Sequence, residues 1–337
     1  MSIYILIRII FNMIKKYIIN KITVTTMCVI LLGMFYLIPT NKIEPEQEKT
    51  DKIKNIIYLL DEDNMLSQVT YFYTKETIKD QIKHNLELLI NGIETNDIFY
   101  PLIPKNTKIN DISIDKNNIY IDFNKEILNI SKNKEEKMIE AIIYTLTEIN
   151  GIENIYLSVE KESLTTLPNA NKQIPYPLTR EYGINKKYDL DNLKNINKTT
   201  IVFSKEIDDY NYYVPVTLIN NNDDEKINII IEELKSVIHS EKELNGYINN
   251  NLVLEDYEFN KDTLNLVFNE YIYDNIEEKT LLEEVKYIIS ESIFENYDVK
   301  KVVLDTKNEK NIAKIEENSW KSKKNIVYFE MSVEMTP

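Results

Sequence analysis

Apolar and polar positions alternate strictly in two stretches of the chain, ISIDKNNIYIDFNKEI (112–127) and YEFNKDTLNLVFNEYI (257–272). A period of two puts one set of side chains on each face of a strand, so each stretch reads as a β-hairpin with one buried face. The polar breaks, Lys116-Asn117-Asn118 and Lys261-Asp262-Thr263, supply the turns. A shift of 145 positions carries Ile112 to Tyr257, Ile114 to Phe259, Ile119 to Leu264, Ile121 to Leu266 and Phe123 to Phe268. The two stretches are copies.

The similarity extends both ways. Upstream, Ile56-Ile57-Tyr58 matches Ile201-Val202-Phe203, and Val69-Thr70 resembles Val216-Thr217, giving two strands per copy. The pattern then changes to a helical period: Ile78, Ile82, Leu86 and Leu89 form one stripe, and Ile227, Ile230, Leu234 and Val237 form its counterpart. Gly92 and Gly246 follow these helices, where a left-handed C-terminal cap favours glycine. Beyond the hairpin, Met138, Ile142, Leu146 and Ile149 predict a second helix, matched by Leu282, Val285, Ile289 and Ile293. Glu148 and Glu291 close the corresponding turns. Strands at 152–159 and 299–304 end the units.

Each unit is therefore two strands, a helix, a hairpin, a helix and a strand. A repeat of about 105 residues is a duplicated domain, long enough to bury a modest core of its own. Two helices on one face of a small sheet are the natural α+β solution.

At the start of the chain, Ile22 to Ile38 (ITVTTMCVILLGMFYLI) carries no charge. Its seventeen residues rise about 26 Å as a helix, close to a ~30 Å hydrocarbon core. Lys15, Lys16 and Lys21 precede it, whereas Glu44, Glu46 and Glu48 follow. The positive-inside rule then keeps the N-terminus cytoplasmic and exports the body. No small-residue cleavage site follows the run, and Cys28, preceded by Met27, makes a poor acylation site. Met13 is an alternative start to Met1.

These signals predict an α+β protein: an N-terminal transmembrane helix followed by two tandem small mixed-sheet domains, each with two helices packed on one face of the sheet. The expected divisions are a cytoplasmic tip and transmembrane anchor (1–40), a stalk (41–54), domain 1 (55–160), a linker (161–199), domain 2 (200–306) and a tail (307–337). Pro168, Pro175 and Pro177 disfavour helix in the linker and predict an extended connector, ending in PLTREYGIN (177–185). In the tail, IVYFEMSV (326–333) is read as an edge strand, a contact segment, or neither.

Composition removes functions more readily than it assigns them. Among 337 residues, 55 acidic and 40 basic side chains give a net charge of −15. That balance excludes a nucleic-acid binder, which needs a basic surface. One cysteine rules out an intramolecular disulfide and the multi-cysteine zinc sites. Five scattered glycines provide no phosphate-cradling loop. His84 and His239 stand at non-equivalent positions without a partner at ligand spacing, and both read as helix-surface residues. The acidic clusters Asp61-Glu62-Asp63, Asp208-Asp209 and Asp223-Asp224-Glu225 lack EF-hand spacing and read as turns. No serine sits in a nucleophile elbow, and no carboxylate pair stands out for glycoside cleavage. No catalytic, cofactor or metal residue is expected.

Arg180-Glu181 is conspicuous where arginine is rare beside lysine. Two readings stay open. Arg180 anchors an inter-domain or partner contact through its bidentate fork, or the pair only stabilises the linker at the surface. Some of the 23 tyrosines are expected at an interface.

Several of these segments together resemble a known family. LLING (88–92), PLIPKNTKINDISIDKNNIYIDF (101–123) and TLTEINGIENIYLSV (145–159) are similar to the GerMN domain. The likeness runs through Ile103-Pro104 and Thr107, the hairpin end Ile121-Asp122-Phe123, and Leu146-Thr147. Two copies joined by PLTREYGIN resemble the GerM family of sporulation and spore-germination proteins over roughly residues 55–305. The second copy departs, with Ile248-Asn249-Asn250-Asn251-Leu252 in place of the loop prolines.

The resemblance implies an exported complex between mother cell and forespore, and folds similar to ring-building domains. It implies partners among other sporulation membrane proteins of a ring or channel, and no catalytic residues. Peptidoglycan is the alternative partner, and residues 22–38 would meet the membrane. The candidate interaction residues are Arg180, Glu181, Tyr182, Pro104 and Thr107.

Overall fold

The computed structural model describes residues 7–9, 11–12, 52–74, 77–93, 98–207, 210–235, 244–317 and 328–330. The anchor predicted at 22–38 lies outside them, as do Cys28, Asp208-Asp209, Val237 and His239. Among the described residues no helix is long and apolar enough to cross a membrane. The described residues from Lys52 onward form one compact unit.

Both copies show the predicted order of elements. The first contributes β1 (Lys52–Leu60), β2 (Leu66–Thr74), α1 (Ile78–Asn91), β3 (Ile109–Asp115), β4 (Asn118–Phe123), α2 (Lys132–Thr147) and β5 (Asn154–Val159). After it come short strands β6 (Glu162–Ser163), β7 (Thr166–Leu167) and β8 (Lys172–Gln173), a single 3-10 turn at Arg180–Tyr182, and β9 (Lys187–Asp189). The second copy supplies β10 (Asn197–Ile207), β11 (Tyr210–Asn220), α3 (Lys226–Lys235), β12 (Leu254–Asn260), β13 (Thr263–Phe268), α4 (Glu283–Phe294) and β14 (Lys301–Thr306). The chain continues through β15 (Ala313–Glu316) to β16 (Tyr328–Glu330).

The hairpins carry the duplication most clearly. Ile112 pairs with Ile121, and Tyr257 pairs with Leu266. Each register slips at the same place, between Ile109 and Asp111 and between Leu254 and Asp256. Each turn lysine, Lys116 and Lys261, takes positive φ (55° and 56°). β5 then returns parallel to β4, and β14 parallel to β13, with a helix making each crossover. The result is two small mixed sheets, β3-β4-β5-β6 and β12-β13-β14-β15.

The architecture differs from the expectation of one sheet per domain. The opening strand pairs leave their own small sheets and join one another in a shared sheet, β1-β2-β11-β10. There β2 meets β11 antiparallel at Gln68 and Tyr213. β9 adds to β11, and β16 adds parallel to β2 at Thr70 to Phe72, so part of the IVYFEMSV run is a strand. A hairpin cannot bury both edges alone, and docking two related hairpins edge to edge pairs one edge of each. The helices close the outer edges. Tyr58 N–H donates to Thr145 Oγ1 at 3.0 Å, and Val202 N–H donates to Ser292 Oγ at 2.9 Å. Asn296 adds a further pair of bonds to the Thr200 backbone.

Packing follows from this arrangement. One contiguous apolar cluster includes Tyr58, Leu86, Ile142 and Leu157 from the first copy and Phe203, Ile230, Leu266 and Ile289 from the second. α2 is buried almost all round from Met138 to Leu146, beyond the single stripe expected. Ile78 of the α1 stripe is exposed, while Ile82, Leu86 and Leu89 are buried. Gly92 does sit at the end of α1 with φ 79°. Gly246 has another role: a Cβ there would lie 1.8 Å from the Leu234 carbonyl oxygen, so it is required by close approach rather than by a cap.

Candidate functional site

The connector between the copies is woven into both. Leu178 exchanges two backbone hydrogen bonds with Ile155 of β5, each 2.9 Å. Six residues on, Ile184 exchanges bonds with Thr217 of β11 through its N–H (2.9 Å) and its carbonyl (2.8 Å). Between these anchors the 3-10 turn places Arg180 at the seam. Gly183 leaves the turn at φ 81°, with space for a Cβ already taken by Thr217 at 3.0 Å.

Arg180 is the only arginine after Arg8, and its guanidinium joins the C-terminal ends of α2 and α4. Nη2 reaches Glu148 at 2.5 Å, Nη1 pairs with Glu295, and Nε donates to Thr147 Oγ1 at 2.8 Å. The guanidinium carbon lies 4.7 Å from the centre of the Tyr144 ring. Its two carboxylates belong to different copies, so the fork is an inter-domain clamp. Glu148 and Glu295 are the C-caps of their helices, where carboxylates oppose the helix dipole and the cation offsets them. The structural counterpart of Glu148 is thus Glu295, not Glu291.

A relay of hydrogen bonds runs from this clamp through the shared sheet. Tyr287 donates to Gln68 Oε1 (2.9 Å), Gln68 Nε2 to the Tyr58 hydroxyl (3.2 Å), and Tyr58 to Glu148 (2.8 Å). The Tyr213 and Tyr287 rings stack over it at 3.9 Å. Burial raises the Tyr58 phenol, with the Glu148 charge adding to it, which keeps the hydroxyl a donor. Burial likewise raises Glu295 against the opposing pull of Arg180. Arg180 loses hydration, but Glu295 and Glu148 more than compensate and hold it charged.

Two further stitches cross the seam. Asn185 donates to the carbonyls of Leu66 on β2 (2.8 Å) and Pro215 on β11 (2.9 Å), and its Oδ1 accepts from Leu66 N–H (2.9 Å). Buried Lys205 of β10 pairs with Asp61 at 3.1 Å and with Asp63, both in the β1–β2 turn. The Asp61-Glu62-Asp63 cluster is a turn, as expected, and it carries an inter-domain ion pair besides. Below the connector, Lys186 lies 3.5 Å from the centre of the Tyr182 ring and bonds Glu136 (2.6 Å) and Glu140 (3.3 Å). Burial raises Glu140 against the pull of Lys186. Burial also works to raise Glu136, but bonds from Lys172 and Lys186 outweigh it and lower the group.

The five candidate interaction residues separate in space. Arg180 and Tyr182 lie in the seam. Glu181 is exposed, and its carbonyl accepts from Lys198 Nζ at 2.7 Å. Pro104 and Thr107 lie apart on the loop after α1, where Thr107 N–H donates to the Pro104 carbonyl at 2.9 Å. The buried Thr107 hydroxyl has no hydrogen-bond partner among the described residues, and the second copy places apolar Leu252 at the matching position. His84 is half-buried, its ring 5.6 Å from Tyr71, rather than on the helix surface.

Neither Glu295 nor Lys205, nor the Tyr58–Gln68–Tyr287 relay, is marked by its local sequence. None stands in a motif; opposite charges in the two copies were the available signal. A cleft of about 720 Å³ opens over the clamp, its rim carrying Glu153, Glu181 and Glu317 beside Lys300. Among the described residues no group of three or more His, Cys, Asp or Glu side chains is placed to hold a metal ion. The seam's carboxylates are engaged by Arg180, Lys186 and Lys205, and this chemistry holds two domains together.

Known proteins are similar in sequence and fold. A family profile described as "Germane: Sporulation and spore germination" matches residues 56–165. The spore germination protein GerM of Bacillus subtilis is 28% identical over 276 residues, covering 76% of this chain and 75% of that protein. The solved tandem GerMN domains of the sporulation protein GerM from Bacillus subtilis superpose with a TM-score of 0.70 at 24% identity, covering 78% of this chain and 93% of theirs. With the duplicated hairpins and the shared sheet, these matches support a GerM-like protein with two GerMN domains.

Proposed function

We propose that the protein is a non-enzymatic scaffold, anchored in the membrane by residues 22–38, in an exported assembly between mother cell and forespore. Its partners in this reading are other sporulation membrane proteins of a ring or channel complex. The observation that supports it is the seam: Arg180, Asn185 and Lys205 each bridge the two copies, so the body presents its outer faces in fixed relative positions. A rigid two-domain body suits holding partners at set spacing, since little ordering entropy is lost when it binds. The apolar, uncharged run between a lysine-rich and a glutamate-rich flank supports the anchor and the exported topology.

Disruption of the gene tests the reading. The expected result is a lower yield of heat-resistant spores and slow germination, both restored by the wild-type chain. Normal engulfment, spore yield and germination in the disrupted strain would reject it. Membrane fractionation with and without residues 22–38 tests the anchor separately, and unchanged membrane retention of the truncated chain would reject that part.

A further inference from the structure

The solvent face of the small sheet in the first copy carries a row of tyrosine rings. Tyr120 and Tyr156 stand directly opposite on parallel strands β4 and β5, with ring centres 4.7 Å apart and planes within 13°. That separation equals the spacing between strands, so the rings stand side by side on the sheet. Tyr176 closes the Tyr156 end edge-on at 5.0 Å, its hydroxyl 3.2 Å from Ser163 Oγ. At the other end the neighbour of Tyr120 is Ser113 on β3, small and exposed. One face of Tyr120 is therefore left open above a hydroxyl floor, and Tyr120 retains 40% exposure. Asp111 and Asp115, exposed on the same strand as Ser113, flank this slot.

The fold does not need these rings. In the second copy the same register places Asn265 opposite Val303 on one side and Glu258 on the other, and the sheet forms equally well. Nor does the face suit the apolar core of a protein interface, because no strand residue of β3, β4 or β5 on the Tyr120 side is aliphatic, and exposed Ile114 pairs with Ile119 on the other face. An open aromatic face edged by carboxylates matches a sugar ring instead. The axial C–H face of a pyranose stacks on the ring, and its equatorial hydroxyls or acetamido N–H donate to Asp111 and Asp115. The same carboxylates repel polyanions.

We propose that Tyr120, Ser113, Asp111 and Asp115 form a binding site for a neutral β-linked glycan strand, one pyranose ring stacking on the open face of Tyr120. The site is independent of the scaffold reading, since it lies on an outer face of one copy and uses no seam residue.

Titration of the full chain, in a detergent that carries no sugar, with chitohexaose and with cellohexaose tests it by calorimetry. Saturable binding of either oligomer is expected; binding of both reads ring stacking, and preference for chitohexaose reads the acetamido group. Tyr120→Ala should weaken binding at least tenfold. Ser113→Tyr, which covers the open face while keeping the tyrosine row, should do the same, and Asn265→Ala should change nothing. Absence of binding to both oligomers, or unchanged binding by Ser113→Tyr, would overturn the proposal.

Discussion

Replacing Arg180 by methionine removes the charge of the clamp and keeps much of its apolar length. Two carboxylates then lose their cation, Glu148 at 15% and Glu295 at 7% side-chain exposure. Breaking a buried ion pair from one side costs ~3–5 kcal/mol, most of it from the charge left behind. The Arg180 side chain retains 30% exposure, so solvent screening places the loss at the lower end, about 3 kcal/mol. For a body of this size that lowers the melting midpoint by roughly 6 °C, at about 2 °C per kcal/mol. Burial already raises the Glu295 carboxyl against the pull of Arg180, so the variant holds that proton more tightly. Protonation relieves the loss, and the deficit should therefore be smaller at pH 5 than at pH 8. Adding Glu148→Gln and Glu295→Gln to the variant should recover most of the stability, because neutral amides carry no uncompensated charge. Urea and thermal unfolding of the wild type, the single variant and the triple variant provide the assay. A loss below about 1 kcal/mol for Arg180→Met, or a triple variant no more stable than the single one, would refute the clamp.

Other perturbations have equally definite outcomes. Lys205→Met should cost about 3 kcal/mol by stranding Asp61, whose side chain is 1% exposed, and adding Asp61→Asn should restore most of it, as read by urea unfolding. Gly183→Ala should cost about 2–3 kcal/mol, from positive φ and from a Cβ that meets Thr217 at 3.0 Å; a melting midpoint equal to wild type would contradict this. Lys172 and Lys186 lower the Glu136 carboxyl below its unfolded value. Its contribution is therefore present above the ordinary glutamate range and lost as pH falls through the lowered value. Glu136→Gln should accordingly show a shallower loss of stability below about pH 4.5, and an unchanged acid limb would contradict that.

The order of elements was legible because each has a local cause. Alternation set both hairpins, the 3.6 period set the helices, and the shift of 145 positions aligned the two hairpins down to the bulges at Ile109 and Leu254. The joining of hairpins was not legible. β1-β2 and β10-β11 read alike whether each pairs within its own domain or with the other, since edge pairing leaves no mark in a period of two. The seam was half legible. The rarity of arginine drew attention to Arg180, but only the fold shows that Glu148 and Glu295, 147 positions apart, converge on one guanidinium. Lys205 and Asp61 form an ordinary-looking lysine and an ordinary-looking turn until two strands bring them within 3.1 Å. For the tyrosine row, parallel pairing of β4 and β5 decides which rings stack, and that register depends on a helical crossover rather than on local pattern.

Whether the copies move as one body is tested most directly by a distance distribution between them. Spin labels at Asn117→Cys and Asp262→Cys, matching exposed turn positions in the two copies, with Cys28→Ser removing the native thiol, report that distance by pulsed dipolar spectroscopy. A single narrow distribution is expected for the otherwise wild-type chain, broadening when Arg180→Met and Asn185→Ala are added. A broad or bimodal distribution before those changes would contradict the rigid two-domain body.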